Sequence, residues 1–458
     1  MTLVYTDTGE PVLGAPDSVR PETAKQKIFE SWLSAFLSGL DVSLVRPPVI
    51  CAIPPTPVFT AEPSEPNLTP TPDPTTAPDP DLPPKGDEFA DAEFPRNHLG
   101  PYRSGETRMP SFEFEGAFRI HRGDWRDDSH VAHGKGGFSV TSDSVWILNN
   151  INKRKRVIRY ERPTPVKTYD PSQMPMSQAM SDPIAADHGI RGGTHLSGVF
   201  YDELADRLYI SGLHNYDADY SQRKLLLSMN TDGSDPKWYD TEDGMRRGGQ
   251  MLMAGQVLKT PTELQDRIGR LYTIPEHWTN IISRVSCGAG LWGWDGNFEE
   301  DHARLRPFLN FPMDQTWGEH GTTTDRPARP IFNRLSRYEI SFFWEGSYIS
   351  IGQNAGQEGG INYGKGPGMP HQGNYPLIQG DYDNYFWIWD QDEILNNNGE
   401  PWEPRPVEWG YLSPHISNKI WSIQGGYFDP DESRLWLLST KDRTQGEPSP
   451  TIFQFKVR

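Results

Sequence analysis

The chain has 458 residues, a formal net charge of −18, and only 35% hydrophobic residues alongside 43 Gly, 42 Pro and 15 Trp. This mixture fits turn-rich, aromatic-rich β structure and does not fit a helical enzyme. The negative charge argues against a nucleic-acid partner, because phosphate binding needs clustered Lys and Arg, and the one basic run, Lys153–Arg156, reads as a solvated hairpin turn.

Taken in order, residues 1–46 form an N-terminal attachment or assembly segment. Ile28, Phe29, Trp32, Leu33, Phe36, Leu37 and Leu40 recur along one face of a 3.6-period helix, predicted over 21–40 with Pro21 near its start and Gly39 near its end. A single short helix cannot bury that face alone, so self-association or partner docking through helix 21–40 is expected. There is no basic and then apolar leader typical of a signal peptide, and no run of about 20 apolar residues that would span a membrane. Residues 47–110 are a Pro-rich linker. Fourteen prolines fall between Pro47 and Pro84, and proline, lacking an N–H and fixing φ, favours an extended spacer. Cys51 and Cys287, far apart in sequence, exclude a disulfide framework and a Cys-based zinc site.

From residue 111 to 458 the pattern is that of an all-β domain. A Gly-Gly opening, an alternating run and an Asp-rich turn recur at Gly136, Gly192 and Gly425, with a degenerate opening at Gly248. Further hairpins are read at Ile281–Trp294 and Tyr338–Gly352, the second with a tight Glu345-Gly346 turn. Tyr385–Trp389 gives a strand of its own, and Asp390–Leu395 a short helical turn. One supersecondary unit repeated at roughly 50-residue spacing predicts a β-propeller. Six blades are favoured, with five or seven also compatible. A propeller must also close. The unpartnered alternating strand at 111–120 and the C-terminal strand Thr451–Val457 are predicted to share a blade.

Several stretches carry a family resemblance. They are Glu115-Gly116-Ala117-Phe118-Arg119, Glu276-His277-Trp278 leading to Ile282-Ser283-Arg284, Tyr385–Trp389, Trp402–Pro406, and Gly425 through Phe455. Together they resemble a family of uncharacterised bacterial and metagenomic β-propeller-like proteins over about three-quarters of the chain. The resemblance implies the fold and no chemistry.

The densest polar group is Asp124, Asp127, Asp128, His130 and His133. With His195, Tyr201 and Arg191 it suggests a channel-mouth site. There Tyr or His would take a proton and Arg would neutralise a uronate carboxylate, as in β-elimination; non-catalytic loop polarity is the leading reading, and a zinc or other transition-metal site on the His and Asp residues is a further alternative. Trp317, His320, Tyr363, His371 and Tyr375 lie in Gly-rich loops, where aromatic residues mixed with Asn and Gly suit glycan or protein recognition. Asp232 and Asp235 offer alternating oxygen ligands for calcium, but a plain Asx turn accounts for them, and no cofactor is expected.

These features read as a helical attachment segment, a stalk and a propeller head. The leading function is non-catalytic: adhesion to a surface glycan or protein, or structural decoration of an extracellular assembly, including a phage or virus particle. The alternative is a polysaccharide-active enzyme, a lyase or hydrolase, with its site at the channel mouth.

Overall fold

The computed structural model describes residues 4–5, 11–12, 107–121, 136–149, 155–186, 194–214, 224–241, 255–276, 290–296, 305–309, 324–325, 333, 335–364, 373–378, 380–397, 404–420, 422–439 and 450–458. The chain divides into two units, 1–91 and 92–458. In the first, strands β1 (Val4–Tyr5) and β2 (Pro11–Val12) pair in a short antiparallel ladder. The helix expected over 21–40 and the linker expected over 47–110, apart from its last four residues, lie outside the described residues. Among the described residues no helix is long and apolar enough to cross a membrane.

The second unit is a five-bladed β-propeller. It opens with β3 (Phe112–Ile120), which belongs to the last blade. Blade I holds β4 (Ser139–Val140), β5 (Ser144–Asn149) and β6 (Arg156–Glu161) and, beyond β7 (Met176–Ser177), β8 (Ile184–Ala185). Blade II runs through β9 (Thr194–Asp202), β10 (Arg207–His214), β11 (Lys224–Asn230) and β12 (Lys237–Asp240). Blade III has β13 (Leu258–Lys259), a short helix α1 (Gln265–Ile268), β14 (Tyr272–Glu276), β15 (Gly290–Trp294) and β16 (Leu305–Leu309). Before blade IV comes β17 (Thr324–Asp325). Blade IV is β18 (Arg337–Trp344), β19 (Ser347–Ala355), β22 (Tyr382–Asp390) and β23 (Glu408–Tyr411). An inserted hairpin, β20 (Ile361–Gly364) and β21 (Gly373–Pro376), follows β19, and helix α2 (Gln391–Asn396) follows β22. Blade V is β24 (Ile423–Asp429), β25 (Arg434–Ser439), β26 (Thr451–Val457) and β3, with β7 at its edge.

Five blades, not the favoured six, result because two expected hairpins are one. The segment opening at Gly248 leads into β13, and the run Ile281–Trp294 supplies β15 of the same sheet. A strand three positions into a blade has the same composition as an inner strand, so sequence spacing alone counts it twice.

Each blade–blade interface has its own hydrophobic core. Trp146, Leu196 and Leu208 join blades I and II, Tyr209, Tyr272 and Trp294 join II and III, and Leu291, Tyr338 and Trp387 join III and IV. Ile340, Phe428 and Phe453 join IV and V, and Phe138, Trp436 and Ile452 join V and I. Both faces of a blade are therefore covered, and strands buried on both faces read as continuous apolar runs. That explains Tyr385–Trp389, five consecutive buried residues without alternation. The tight turn at Glu345-Gly346 has φ of 41° and 77°, and α2 is capped by the Asp390 carboxylate, which accepts from Asp392 N and Glu393 N, both as expected.

The ring closes as the sequence predicts. β26 pairs antiparallel with β3 from Thr451↔Arg119 to Val457↔Phe112. Glu115 bulges from this ladder, and its carboxylate accepts from Gln454 Nε2 at 2.6 Å and from Arg434 Nε at 3.0 Å. The segment 162–177 then crosses from blade I over the outer edge of β3. Ala117 and Val166 exchange backbone hydrogen bonds, Tyr169 stacks on Phe114 at 4.2 Å, and β7 pairs in parallel with Arg119–Ile120. The chain returns to blade I through the Tyr160↔Ala179 bridge and β8. The close approach needs Gly116, where a Cβ would lie 2.9 Å from the Val166 carbonyl carbon. An open sheet edge is thus covered. Upstream, Thr107 Oγ1 and Arg108 N donate to the two carboxylate oxygens of Glu408 in blade IV at 2.6 and 2.8 Å, and Arg108 pairs with Asp390.

Candidate functional site

The innermost strands β4, β9, β13, β18 and β24 begin at one end of the ring, here termed the mouth. At the opposite end lie hairpin turns such as Glu203–Asp206 and Pro430–Ser433.

Three inner strands carry a bulge at the same place. Ser197, Glu339 and Gln424 are each left unpaired by a register shift, and each is followed by five paired residues before the turn: Gly198–Asp202, Ile340–Trp344 and Gly425–Asp429. A bulge re-aims a side chain and often borders a site. The three residues are buried, and so is Gln256, just ahead of β13. The ring is tied together at this level. Gly137 N donates to Ser197 O at 2.9 Å and Gly136 N to Gln424 O at 2.6 Å. The Gln256 amide reaches from blade III to the carbonyls of Phe138 in blade I and, at 3.0 Å, Val199 in blade II. Gly-Gly openings serve this contact: a Cβ on Gly136 would fall 1.7 Å from Ser197 O, and one on Gly137 would strike the Gln256 side chain. Between blades IV and V, Ser422 Oγ accepts from Gln353 Nε2 at 2.8 Å and from Gln424 Nε2 at 2.7 Å.

The inserted hairpin β20–β21 departs from Ala355 and returns at Tyr382, which pair with each other beside the start of β18; it therefore stands at the mouth end. β17 adds a third strand. Its base is fixed by Asp381, whose carboxylate accepts from Glu358 N and Gly359 N, and by Asn333, which donates to Asn354 Oδ1 and Ala355 O. Burial pushes the Tyr382 hydroxyl above its ordinary value, against the opposing charge of Arg337. Across the hairpin Asn362 pairs with Tyr375, and Asn362 Nδ2 donates to Tyr375 Oη at 3.2 Å. Tyr363 pairs with Asn374.

Of the residues selected from sequence, His130, His133, Arg191, Trp317, His320 and His371 lie outside the described residues. His195 sits at the mouth end of β9, paired with Leu213. Tyr201 lies six residues further along that strand, roughly 20 Å away at about 3.3 Å per residue. It packs on Trp146 and donates to Asp206 at 3.0 Å, and its hydroxyl is raised by burial and then by that carboxylate. The structure therefore places Tyr363 and Tyr375 at neighbouring register positions on the paired strands of the mouth-end hairpin and holds Tyr201 at the other end. Asp232 accepts from Ser234 N in an Asx turn, and Asp235 pairs with Arg207 at 2.9 Å. Among the described residues, no three His, Cys, Asp or Glu side chains gather where they could hold a metal ion.

Sequence reasoning missed Gln256, Glu339 and Gln424. The signal for Glu339 was present as one charge inside the apolar run Tyr338–Trp344; the bulge that sets it apart depends on pairing with β19. At the far end, a crevice of about 360 Å³, including open solvent, is walled by Leu258, Pro261, Phe342, Phe428 and Pro430. Among the described residues, no His, Cys, Asp or Glu lines it.

No protein-family model and no curated protein matches this sequence, so the resemblance stands at the level of a propeller. Among solved structures, the chain is similar to a thermostable family-43 glycoside hydrolase, at 11% identity over 71% of this chain and 93% of that one, with a TM-score of 0.34. It is also similar to an exo-β-1,3-galactanase from Phanerochaete chrysosporium, at 8% identity over 75% of this chain and 64% of that one, TM-score 0.37. A polysaccharide lyase gives 8% identity over 76% and 97%, TM-score 0.28. Scores this low leave function to the residues themselves.

Proposed function

We propose that this protein is carbohydrate-directed and takes its glycan at the mouth end of the propeller. The observation that carries the reading is the hairpin β20–β21, which sets the half-buried Tyr375 against the Asn362 amide beside the starts of the inner strands. An aromatic face with an adjacent amide suits a sugar, whose CH faces stack and whose hydroxyls hydrogen-bond. The neutral belt of Ser422, Gln353 and Gln424 below it has the same chemistry. Display on an extracellular or virion surface, with segment 1–46 for attachment, belongs to the same proposal.

Polysaccharide cleavage is the second reading, favoured by the buried carboxylate Glu339 on the innermost strand of blade IV. Glycoside hydrolysis ordinarily needs two carboxyl groups about 5–9.5 Å apart; Glu339 would be one of them. The test is retention of the full chain on a glycan array, with chromatography of soluble polysaccharides after incubation. Tyr375→Ala should weaken retention about tenfold or more, the scale of one lost aromatic stack in a desolvated contact. Retention unaffected by this change sinks the hairpin assignment. New oligosaccharide products decide for the second reading over simple recognition.

A further inference from the structure

The axis of the ring is filled. Gln256 comes from blade III, yet its amide donates to Phe138 O in blade I, two blades away, as well as to Val199 O in blade II. Tyr427, in blade V, packs against the core between blades II and III as well as the core between V and I. Each of these side chains spans the centre toward a blade that is not its neighbour. Gln256 does so at the level of the bulges, and Tyr427, three residues past the bulged Gln424, does so nearer the far end. The inner strands around them touch. A Cβ on Gly198 would lie 2.6 Å from Gln256 Cα, one on Gly426 would lie 2.8 Å from Ile340 Cβ, and one on Gly425 would lie 1.8 Å from Gly136 O. The mouth therefore has a floor.

Two non-adjacent blades rise above that floor. In blade II, β9 and β10 continue for three more pairs, from Gly212↔Leu196 to His214↔Thr194. In blade IV, β18 and β19 continue through Tyr338↔Gly352 and Arg337↔Gln353, and the hairpin β20–β21 stands beyond them. Three residues of strand span about 10 Å at 3.3 Å each, a depth on the scale of a sugar ring or two. The half-buried Tyr375 belongs to the rim on the blade IV side.

We propose that the mouth recognises the end of a glycan chain, which descends past Tyr375 at the rim and stops at the floor. The proposal rests on the carbohydrate reading above and names the part of the polymer that is taken. A sugar in the middle of a polymer carries chain on both sides. To bring it down to a closed floor between two walls, both arms must bend back out of the cup, and ordering them costs conformational freedom. An end has one arm, and that arm leaves along the axis. A terminal sugar also carries a hydroxyl where an internal one carries its next neighbour, and the filled axis leaves no room for that neighbour below.

The test is isothermal titration calorimetry of the full chain with linear β-glucan, β-galactan and β-xylan, each as the hexasaccharide and as a polymer of known length. For a backbone that binds, the expected result is one protein per glycan chain at every length, with the same Kd per mole of chain. Fragmenting that polymer at constant mass should raise the number of binding sites in step with the number of chain ends. Several proteins per polymer chain, or a Kd per mole of chain that falls in proportion to length, puts recognition on internal sugars. That overturns the inference and leaves the carbohydrate reading standing. If no backbone binds in either form, the carbohydrate reading fails and this inference falls with it.

Discussion

Replacing Gln256 by Leu keeps roughly the same side-chain volume while stranding the Phe138 and Val199 carbonyls at the centre of the ring. A buried acceptor deprived of its donor costs about 1–3 kcal/mol. Urea denaturation should show that loss as a lower midpoint with an unchanged slope; a midpoint within error of the wild type would mean the amide is not a structural pin. His415 makes a pH-dependent contribution. Burial, the larger effect, holds its imidazole below the ordinary value of 6.5, while nearby Glu408 pulls the other way. Its ring meets Phe386 edge-on at 5.2 Å, and Nε2 is buried without a partner among the described residues. The unfolded chain therefore takes up the proton first. This contribution is complete above about pH 6.5 and is lost as pH falls from there toward the depressed folded value. His415→Phe should shrink the drop in Tm between about pH 7.5 and 5.5; an equal drop in both proteins would remove His415 as its source.

At the scale of elements, β3 decides whether the head closes. A chain starting at residue 107 keeps Thr107 and Arg108 on Glu408 and keeps β3 on β26, so it should fold with the Tm of the full chain's head. A chain starting at residue 121 leaves β26 with an open edge and should aggregate, as light scattering during refolding would show. A soluble monomer from the shorter chain would refute the closure argument. β3 and β26 were legible in sequence because each alternates and neither has a local partner. The hairpin turns were legible through Asp and Gly. The blade count was not, since strands buried on both faces lack the alternation that marks inner from outer. The Glu408 latch and the 162–177 crossing were hidden for another reason. They depend on single hydrogen-bond pairs such as Thr107–Glu408, separated by 301 positions, and no periodicity encodes those. The site followed the same divide. Tyr363 and Tyr375 stood out by composition, whereas Glu339 became distinct only through its register against β19.

For the whole molecule, the two ends of the propeller lie side by side: Ser111 N donates to Arg458 O at 3.0 Å and Arg458 N to Ser111 O at 3.1 Å. A circular permutant that joins 458 to 111 through a short linker and opens at the exposed turn Glu203–Asp206 makes the β3–β26 pairing local. Loop-closure entropy then falls, and folding rates rise as contacts become local. Stopped-flow refolding should be faster in the permutant at equal or higher Tm. Slower refolding at equal stability would show that closure is not the limiting step.

The crossing strand also bears on how the chain is made. As residues leave the ribosome in order, β3 appears long before its final neighbour β26; the bond between Glu115 and Gln454 spans 339 positions. In the interval β3 would be a bare strand in a crowded cell. The segment 162–177 emerges about fifty residues later and already holds the Val166 bridge, the Tyr169 stack and the parallel run at Met176–Ser177. It occupies one edge of β3 while the other waits, so the nascent chain carries its own placeholder until β26 emerges.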